Sequence, residues 1–253
     1  MFGRFKKTEP VQPATARALV CPPLTGVPAG LISLAKTAGT SLEKAGVPQG
    51  LRAAVYLVVD RSWSMRGYFA DGSVQGLADQ ALGLAVNLDD DGTVPLVLFD
   101  SQPYPIVDIS LDRYQGVVAD QHQLHGGAPT MGGTQYAIAM KAVIEHYRNS
   151  GAADPALVVF QTDGAPQDAD TTRLQLAQAS KLPIFWSFVG FGPDEVDFLK
   201  QLDRLPGRVV DNASYFHAGS RPRNLPDSVL YDGITGEFGR WLTAARAKGV
   251  LPR

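Results

Sequence analysis

Asp60, Ser62 and Ser64 stand in an Asp-x-Ser-x-Ser spacing at the end of an apolar run over residues 53–59. In extended backbone, residues two apart face the same way. One carboxylate and two hydroxyls therefore line one side of this segment, while Arg61 and Trp63 face elsewhere. Thr134 follows a glycine-rich run at 126–133, and Asp163 follows a second apolar run at 156–161. All five side chains are hard oxygen donors. Acting directly or through water, they suit an octahedral Mg²⁺, or Mn²⁺, with positions left for water or a partner; the low carboxylate count argues against a tight calcium cage. Each has a plainer reading when taken singly, since Ser, Thr and Asp beyond a strand cap helices and Asp163-Gly164 makes a turn. Three such segments, each just past a strand or ahead of a helix, favour the metal.

The elements that must position these residues alternate along the chain. Continuous apolar runs at 53–59, 94–99, 156–161 and 184–189 read as strands buried on both faces, and 105–109, with its proline, as an edge strand. Helical spacing of apolar residues covers 74–88, 135–147, 171–180 and 195–202. A C-terminal stripe of Leu230, Ile234, Phe238, Trp241, Leu242 and Ala245 predicts a helix that Gly233, Gly236 and Gly239 weaken or break. This order predicts an α/β fold, doubly wound, with a mostly parallel central sheet and helices on both faces. In such sheets the functional loops leave the carboxyl ends of the strands. Ahead of the first strand, Leu31, Leu34, Ala35, Ala38, Leu42 and Ala45 predict an amphipathic helix ending near Gly46. Residues 1–28, rich in proline, read as a disordered leader, and residues 29–250 as a single domain with an N-terminal extension at 29–50.

Composition excludes several classes. A hydrophobic fraction of 45% rules out wholesale disorder. With 23 basic and 25 acidic side chains the net charge is −2, so the chain has no overall positive field for nucleic acid or acidic lipid. Its one cysteine, Cys21, forms no intramolecular disulfide and fits a reducing compartment. The basic start, Met1 to Lys7, is not followed by an apolar stretch, and no apolar run reaches membrane-spanning length. A cytoplasmic location without stable membrane insertion is the expectation.

Other motifs carry less. Asn87, Asp89, Asp91 and Gly92 imitate the first half of a calcium loop, but Leu98 stands where a bidentate glutamate is required. His122 and His125 lack the companions of a zinc site. Neither a nucleophile elbow nor a phosphate-binding loop of the G-x-x-x-x-G-K-[ST] type is present. Gly126-Gly127 and Gly132-Gly133 read as a flexible approach to the Thr134 segment.

The segments Tyr56-Leu57-Val58-Val59-Asp60-Arg61-Ser62-Trp63-Ser64-Met65, Thr134 and Phe160-Gln161-Thr162-Asp163-Gly164 resemble the metal-ion-dependent adhesion site of von Willebrand factor A (vWA) domains. More narrowly, the chain resembles the bacterial tellurium-resistance, TerF-like branch. That closer likeness rests on Asp71-Gly72-Ser73-Val74-Gln75, Leu88-Asp89-Asp90-Asp91-Gly92, residues 183–190, Val210-Asp211-Asn212-Ala213, and Glu237-Phe238 with Trp241-Leu242. The resemblance implies a vWA fold and a metal held by Asp60, Ser62, Ser64, Thr134 and Asp163. It implies a non-enzymatic interaction module whose metal is completed by a partner's Asp or Glu, in a bacterial stress or tellurium-resistance assembly. Ser33-Leu34-Ala35-Lys36 and Ser41-Leu42-Glu43-Lys44 also resemble short segments of tellurium-resistance proteins, which offers strand as the alternative to helix there. Trp63 replaces the glycine usual between the two serines. With little space prepared beneath the loop, its ring is expected at the surface, where it would bind the partner. The competing function is Mg²⁺-dependent phosphoryl transfer, with Asp60 as nucleophile, but the second acid such enzymes carry two residues on is here Ser62. Passive metal or metalloid storage is a third reading.

Overall fold

The computed structural model describes residues 26–89 and 91–252. Residues 1–25, most of the expected leader and Cys21 with them, lie outside the described residues. The elements run α1 (Ala29–Lys44), β1 (Ala54–Asp60), α2 (Arg66–Ala70), α3 (Ser73–Leu88), β2 (Thr93–Phe99), β3 (Val107–Ser110), α4 (Val117–Leu124), α5 (Tyr136–Ser150), β4 (Ala156–Thr162), α6 (Ala169–Ala179), β5 (Ile184–Phe191), α7 (Asp197–Asp203), β6 (Ala213–Gly219), α8 (Asp227–Thr235) and α9 (Phe238–Ala247).

The strands form one sheet in the order β3-β2-β1-β4-β5-β6. Every pairing is parallel except that of β2 with the edge strand β3. Alternation along β1 splits the core in two. Val55, Leu57 and Val59 face one layer, packed with Leu31 and Leu42 of α1, Leu77, Ala81 and Leu84 of α3, Tyr231 and Ile234 of α8, and Trp241 of α9. Tyr56 and Val58 face the other, with Tyr136, Met140 and Val143 of α5, Leu176 of α6, and Leu199 and Leu202 of α7. A strand apolar at every position thus serves two layers at once, which is why the run carries no polar alternation.

Residues 29–44 are helical, so the periodicity of their apolar positions prevails over the strand alternative; Leu31, Ala35, Ala38 and Leu42 bury one face. The expected break in the C-terminal helix falls at Gly236 and Glu237, between α8 and α9. The glycines there also allow close approach. A Cβ on Gly239 would lie 2.1 Å from the carbonyl oxygen of Ala45, and one on Gly233 would lie 2.3 Å from the Phe216 ring.

Three elements, α2, α4 and β6, are absent from the pattern reading. The strand β6 interrupts its apolar positions with Ser214, His217 and Gly219, and its middle is only half-buried. The helix α4 is short and half polar, anchored by Val117 and Val118. Because β1 has β2 on one side and β4 on the other, the chain reverses direction across the sheet between β1 and β4. A crevice at the carboxyl ends of two such strands is where open α/β sheets place their ligands.

Candidate metal centre

Asp60 ends β1 and is wholly buried, 0% exposed. Its Oδ1 accepts the Ser62 backbone N–H at 2.7 Å, closing a tight local turn. The parallel register pairs Val59 with Gln161, which puts Thr162 beside Asp60. The Thr162 hydroxyl donates to Asp60 Oδ2 at 2.6 Å. Behind it, the hydroxyl of buried Tyr136 sits 3.1 Å from Thr162 Oγ1 and also donates to the Gly164 carbonyl.

The three side chains of the Asp-x-Ser-x-Ser segment converge, but not by extended alternation throughout. Ser62 is extended, at φ −67° and ψ 161°, and the chain then enters a 3-10 turn over Trp63–Met65. The turn brings Ser64 Oγ within 3.2 Å of Ser62 Oγ, and Ser64 donates to Asp163 Oδ1 at 2.8 Å. A continuous polar chain thus runs Ser62–Ser64–Asp163, with Asp60 bonded to the Ser62 backbone.

Thr134 is placed by backbone contacts. The Trp63 N–H donates to the Gly132 carbonyl at 3.0 Å, and the Gln167 N–H donates to the Thr134 carbonyl at 2.8 Å. Its segment therefore lies between the loop of Ser62 and the loop that follows Asp163. Among the described residues no hydrogen bond joins its hydroxyl to the other four. Nor is Thr134 an N-cap: Asp168, from the β4–α6 loop, accepts the N–H groups of Tyr136 and Ala137 at 3.0 and 2.9 Å. The capping role is thus filled from elsewhere. Gly126 and Gly127, at φ +91° and +64°, make a turn that L side chains rarely adopt, and the Gly127 carbonyl accepts a hydrogen bond from the protein's own Arg61.

Arg61 is the residue the sequence reading left unassigned. Its side chain is 0% exposed and points into the protein, where it pairs with Asp100 at 3.0 Å. It also donates to the carbonyls of His125 and Gly127, each at 2.9 Å, and to Thr130 Oγ1 at 2.6 Å. Asp100 directly follows β2 while Asp60 ends β1, so only the strand register reveals the pairing. The histidines are otherwise engaged: His122 is buried and stacks on Phe69 at 4.5 Å, His146 bonds Tyr56 and His217 bonds the Gly192 carbonyl. Trp63 is exposed, at 59%.

Electrostatically the centre is short of positive charge. Burial pushes the Asp60 carboxyl up to about 7, against the hydrogen bonds from Thr162 and Ser62 that favour its ionised form. Burial raises Asp163 as well, offset in part by Ser64. Among the described residues no ion pair reaches either carboxylate, since Arg61, the adjacent cation, is committed to Asp100. Two desolvated carboxylates with hydroxyls around them fit a hard, partly hydrated cation. The described residues hold no cluster of three or more His, Cys, Asp or Glu side chains able to bind a metal, so a closed structural zinc site is not what this donor set resembles.

Residues 52–251 match the vWA-TerF-like family, described as the vWA found in the TerF C terminus. The chain is 32% identical over 200 residues to the uncharacterized protein YcbR of Bacillus subtilis (strain 168), covering 79% of this chain and 81% of that one. Among solved structures it is similar to the SpRpn10 VWA domain, with TM-score 0.51, 13% identity and coverage of 71% of this chain and 94% of the other. It is also similar to proximal thread matrix protein 1 of the mussel byssus, with TM-score 0.50 and 15% identity over 73% of this chain. It spans 47% of that mussel protein's length. The two structural likenesses show the fold, and the match over residues 52–251 shows the branch: this chain is a vWA domain protein and belongs to the vWA-TerF-like family.

Proposed function

We propose that this protein is a metal-dependent protein-interaction module. Asp60, Ser62, Ser64, Thr134 and Asp163 would hold Mg²⁺, or Mn²⁺, at the carboxyl edge of the sheet, and a carboxylate from a partner protein would complete the coordination. The bound cation would supply a directional, charge-neutralising link between two acidic groups that otherwise repel. The observation that carries this reading is the buried Asp60 carboxylate, joined to Thr162 and Ser62 and accompanied by Asp163 with no cation of the chain's own.

The setting we infer is the bacterial cytoplasm, in a stress or tellurium-resistance assembly, supported by the family's description as the vWA of the TerF C terminus. Among the described residues no helix is long and apolar enough to cross a membrane. We read the protein as no enzyme: Ser62 stands where a phosphoryl-transfer site wants a second acid, and Asp163, the other carboxylate of the centre, is assigned to the metal rather than to a general base. Storage of soft metalloids suits oxygen donors poorly.

Calorimetric titration of the full chain with Mg²⁺ tests this. Binding in the wild type that is lost in Asp60→Ala, with the fold retained by circular dichroism, supports the site. Unchanged affinity in that variant removes it. Mg²⁺-dependent phosphate release from a model ester, lost in Asp60→Asn, would restore the enzyme reading.

A further inference from the structure

The 3-10 turn that brings Ser64 to Ser62 and Asp163 turns Trp63 outward. Its indole is 59% exposed even though Arg66, at the start of α2, lays its guanidinium over the ring with Cζ 3.5 Å from the centroid. Arg66 Nη1 also reaches the Trp63 carbonyl at 3.4 Å. A stacked guanidinium spends its face on the ring and keeps in-plane N–H donors free for a carboxylate, which it can take in a two-pronged grip. Stacking also removes part of the conformational freedom that a lysine or a loose arginine would lose on binding.

Arg66 has no anion of its own. Cations elsewhere on the molecule do: Arg173 pairs with Asp170, Lys200 with Glu195 and Arg240 with Glu237. Among the described residues no ion pair includes Arg66. A pre-positioned, unpaired cation on an exposed tryptophan therefore stands next to Ser62 and Ser64, two of the residues assigned to the metal.

We propose that Trp63 and Arg66 form a second anchoring point for the protein partner, taking an acidic side chain on the same segment that offers its first carboxylate to the metal. The proposal rests on the metal-centre reading above. Charge complementarity selects this occupant. Arg66 calls for an anion, the indole offers apolar surface to the stem of the residue that carries it, and tryptophan and arginine are the side chains most enriched at binding hot spots. A segment with one acid would satisfy the metal and leave Arg66 unmatched. A nucleic acid would meet a chain of net charge −2 and the carboxylates of Asp60 and Asp163.

Random peptides displayed against the immobilised full chain in Mg²⁺ test the idea. The expected result is enrichment of peptides bearing two acidic residues at a fixed spacing and released by chelator. For the resynthesised peptide, Arg66→Ala should weaken binding about tenfold, the loss of a hydrogen bond to a charged group. Trp63→Ala should weaken it roughly thirtyfold, with melting temperatures within about 2 °C of the wild type. Changing the second acid of the peptide to Gln should reproduce the Arg66→Ala loss and add little to it in combination. Chelator-released peptides with a single acid, indifferent to both substitutions, would overturn the second anchor while leaving the metal centre standing. Peptides that bind without Mg²⁺, or no enrichment at all, would overturn both.

Discussion

Arg61 Nη1 lies 3.0 Å from Asp100 Oδ2, the two side chains 0% and 3% exposed, at the carboxyl ends of neighbouring parallel strands. The pair sits directly behind the candidate metal centre, and its arginine holds the loop that leads to Thr134. Through His125, Gly127 and Thr130, the first site loop grips the second. The contact of Arg61 with the Tyr104 ring, 5.1 Å from the centroid, and the bond from Tyr104 to Asp100 at 2.6 Å complete a network around the buried pair.

Breaking one partner of such a pair strands the other charge in the interior. Arg61→Met should cost about 3–5 kcal/mol of stability, measured by urea unfolding. It should also weaken Mg²⁺ binding by about tenfold, because carbonyls at 125–130 lose the donor that fixes them. Arg61→Lys keeps the charge but not the forked geometry, so it should restore little of either. Mg²⁺ affinity that stays at the wild-type level in Arg61→Met would show that Arg61 positions nothing at the site.

Strand and helix alternation was legible because buried parallel strands are apolar at every position, and the ligand spacing was legible because Asp60, Ser62 and Ser64 are adjacent. Arg61 was not. Alternation correctly turned it away from the metal edge, but its destination depends on Asp100, 39 residues on, and on the register pairing Asp60 with Phe99. Ser64 reached the site by a turn that local spacing does not announce. The strand β6 escaped because an edge strand with a half-buried middle has no apolar run, and Asp168 because its cap is delivered from another segment.

The glycines of the helices separate by what surrounds them. Gly239→Ala would drive a methyl group to 2.1 Å from the Ala45 carbonyl oxygen, backbone that cannot swing aside, so a loss of about 2 kcal/mol or more is expected. A Cβ at Gly76, within α3, meets nothing within 4 Å. Gly76→Ala should therefore stabilise by about 0.5–1 kcal/mol through helix propensity and a less flexible unfolded chain. Equal and opposite shifts in melting temperature are not required, but the signs are. Two destabilised variants would contradict the open environment at Gly76.

Tyr136→Phe isolates the support behind Asp60. The substitution keeps the ring, which packs on Phe160 at 5.0 Å, and removes the hydroxyl that serves Thr162 and Gly164. The half-buried Gly164 carbonyl loses the tyrosine donor, costing about 0.5–1.5 kcal/mol. Thr162 still donates to Asp60, so Mg²⁺ affinity should fall far less than in Asp60→Ala. Calorimetry and thermal melts on the same sample separate the two effects.

The last prediction concerns protons at Asp60. Its carboxyl is raised from 3.8 to about 7, chiefly by burial. Between about pH 4 and pH 7 the folded protein therefore holds a proton that the unfolded chain has released, and without metal its stability should fall as the pH climbs through that window, then level off. Asp163, shifted in the same direction by burial, adds to the fall. Metal binding runs the other way, since the carboxylate must lose its proton to serve as a ligand. Mg²⁺ affinity should rise by up to about tenfold per pH unit below 7 and flatten above it. Asp60→Asn has the same shape and no proton to lose. In chelator at pH 8 it should melt above the wild type, while Mg²⁺, which raises the wild-type melting temperature, should leave it unmoved. A wild-type melting temperature that is flat from pH 5 to pH 8 in chelator, together with no gain in Asp60→Asn, would show that burial does not penalise the Asp60 charge and that the centre has no need of a cation to relieve it.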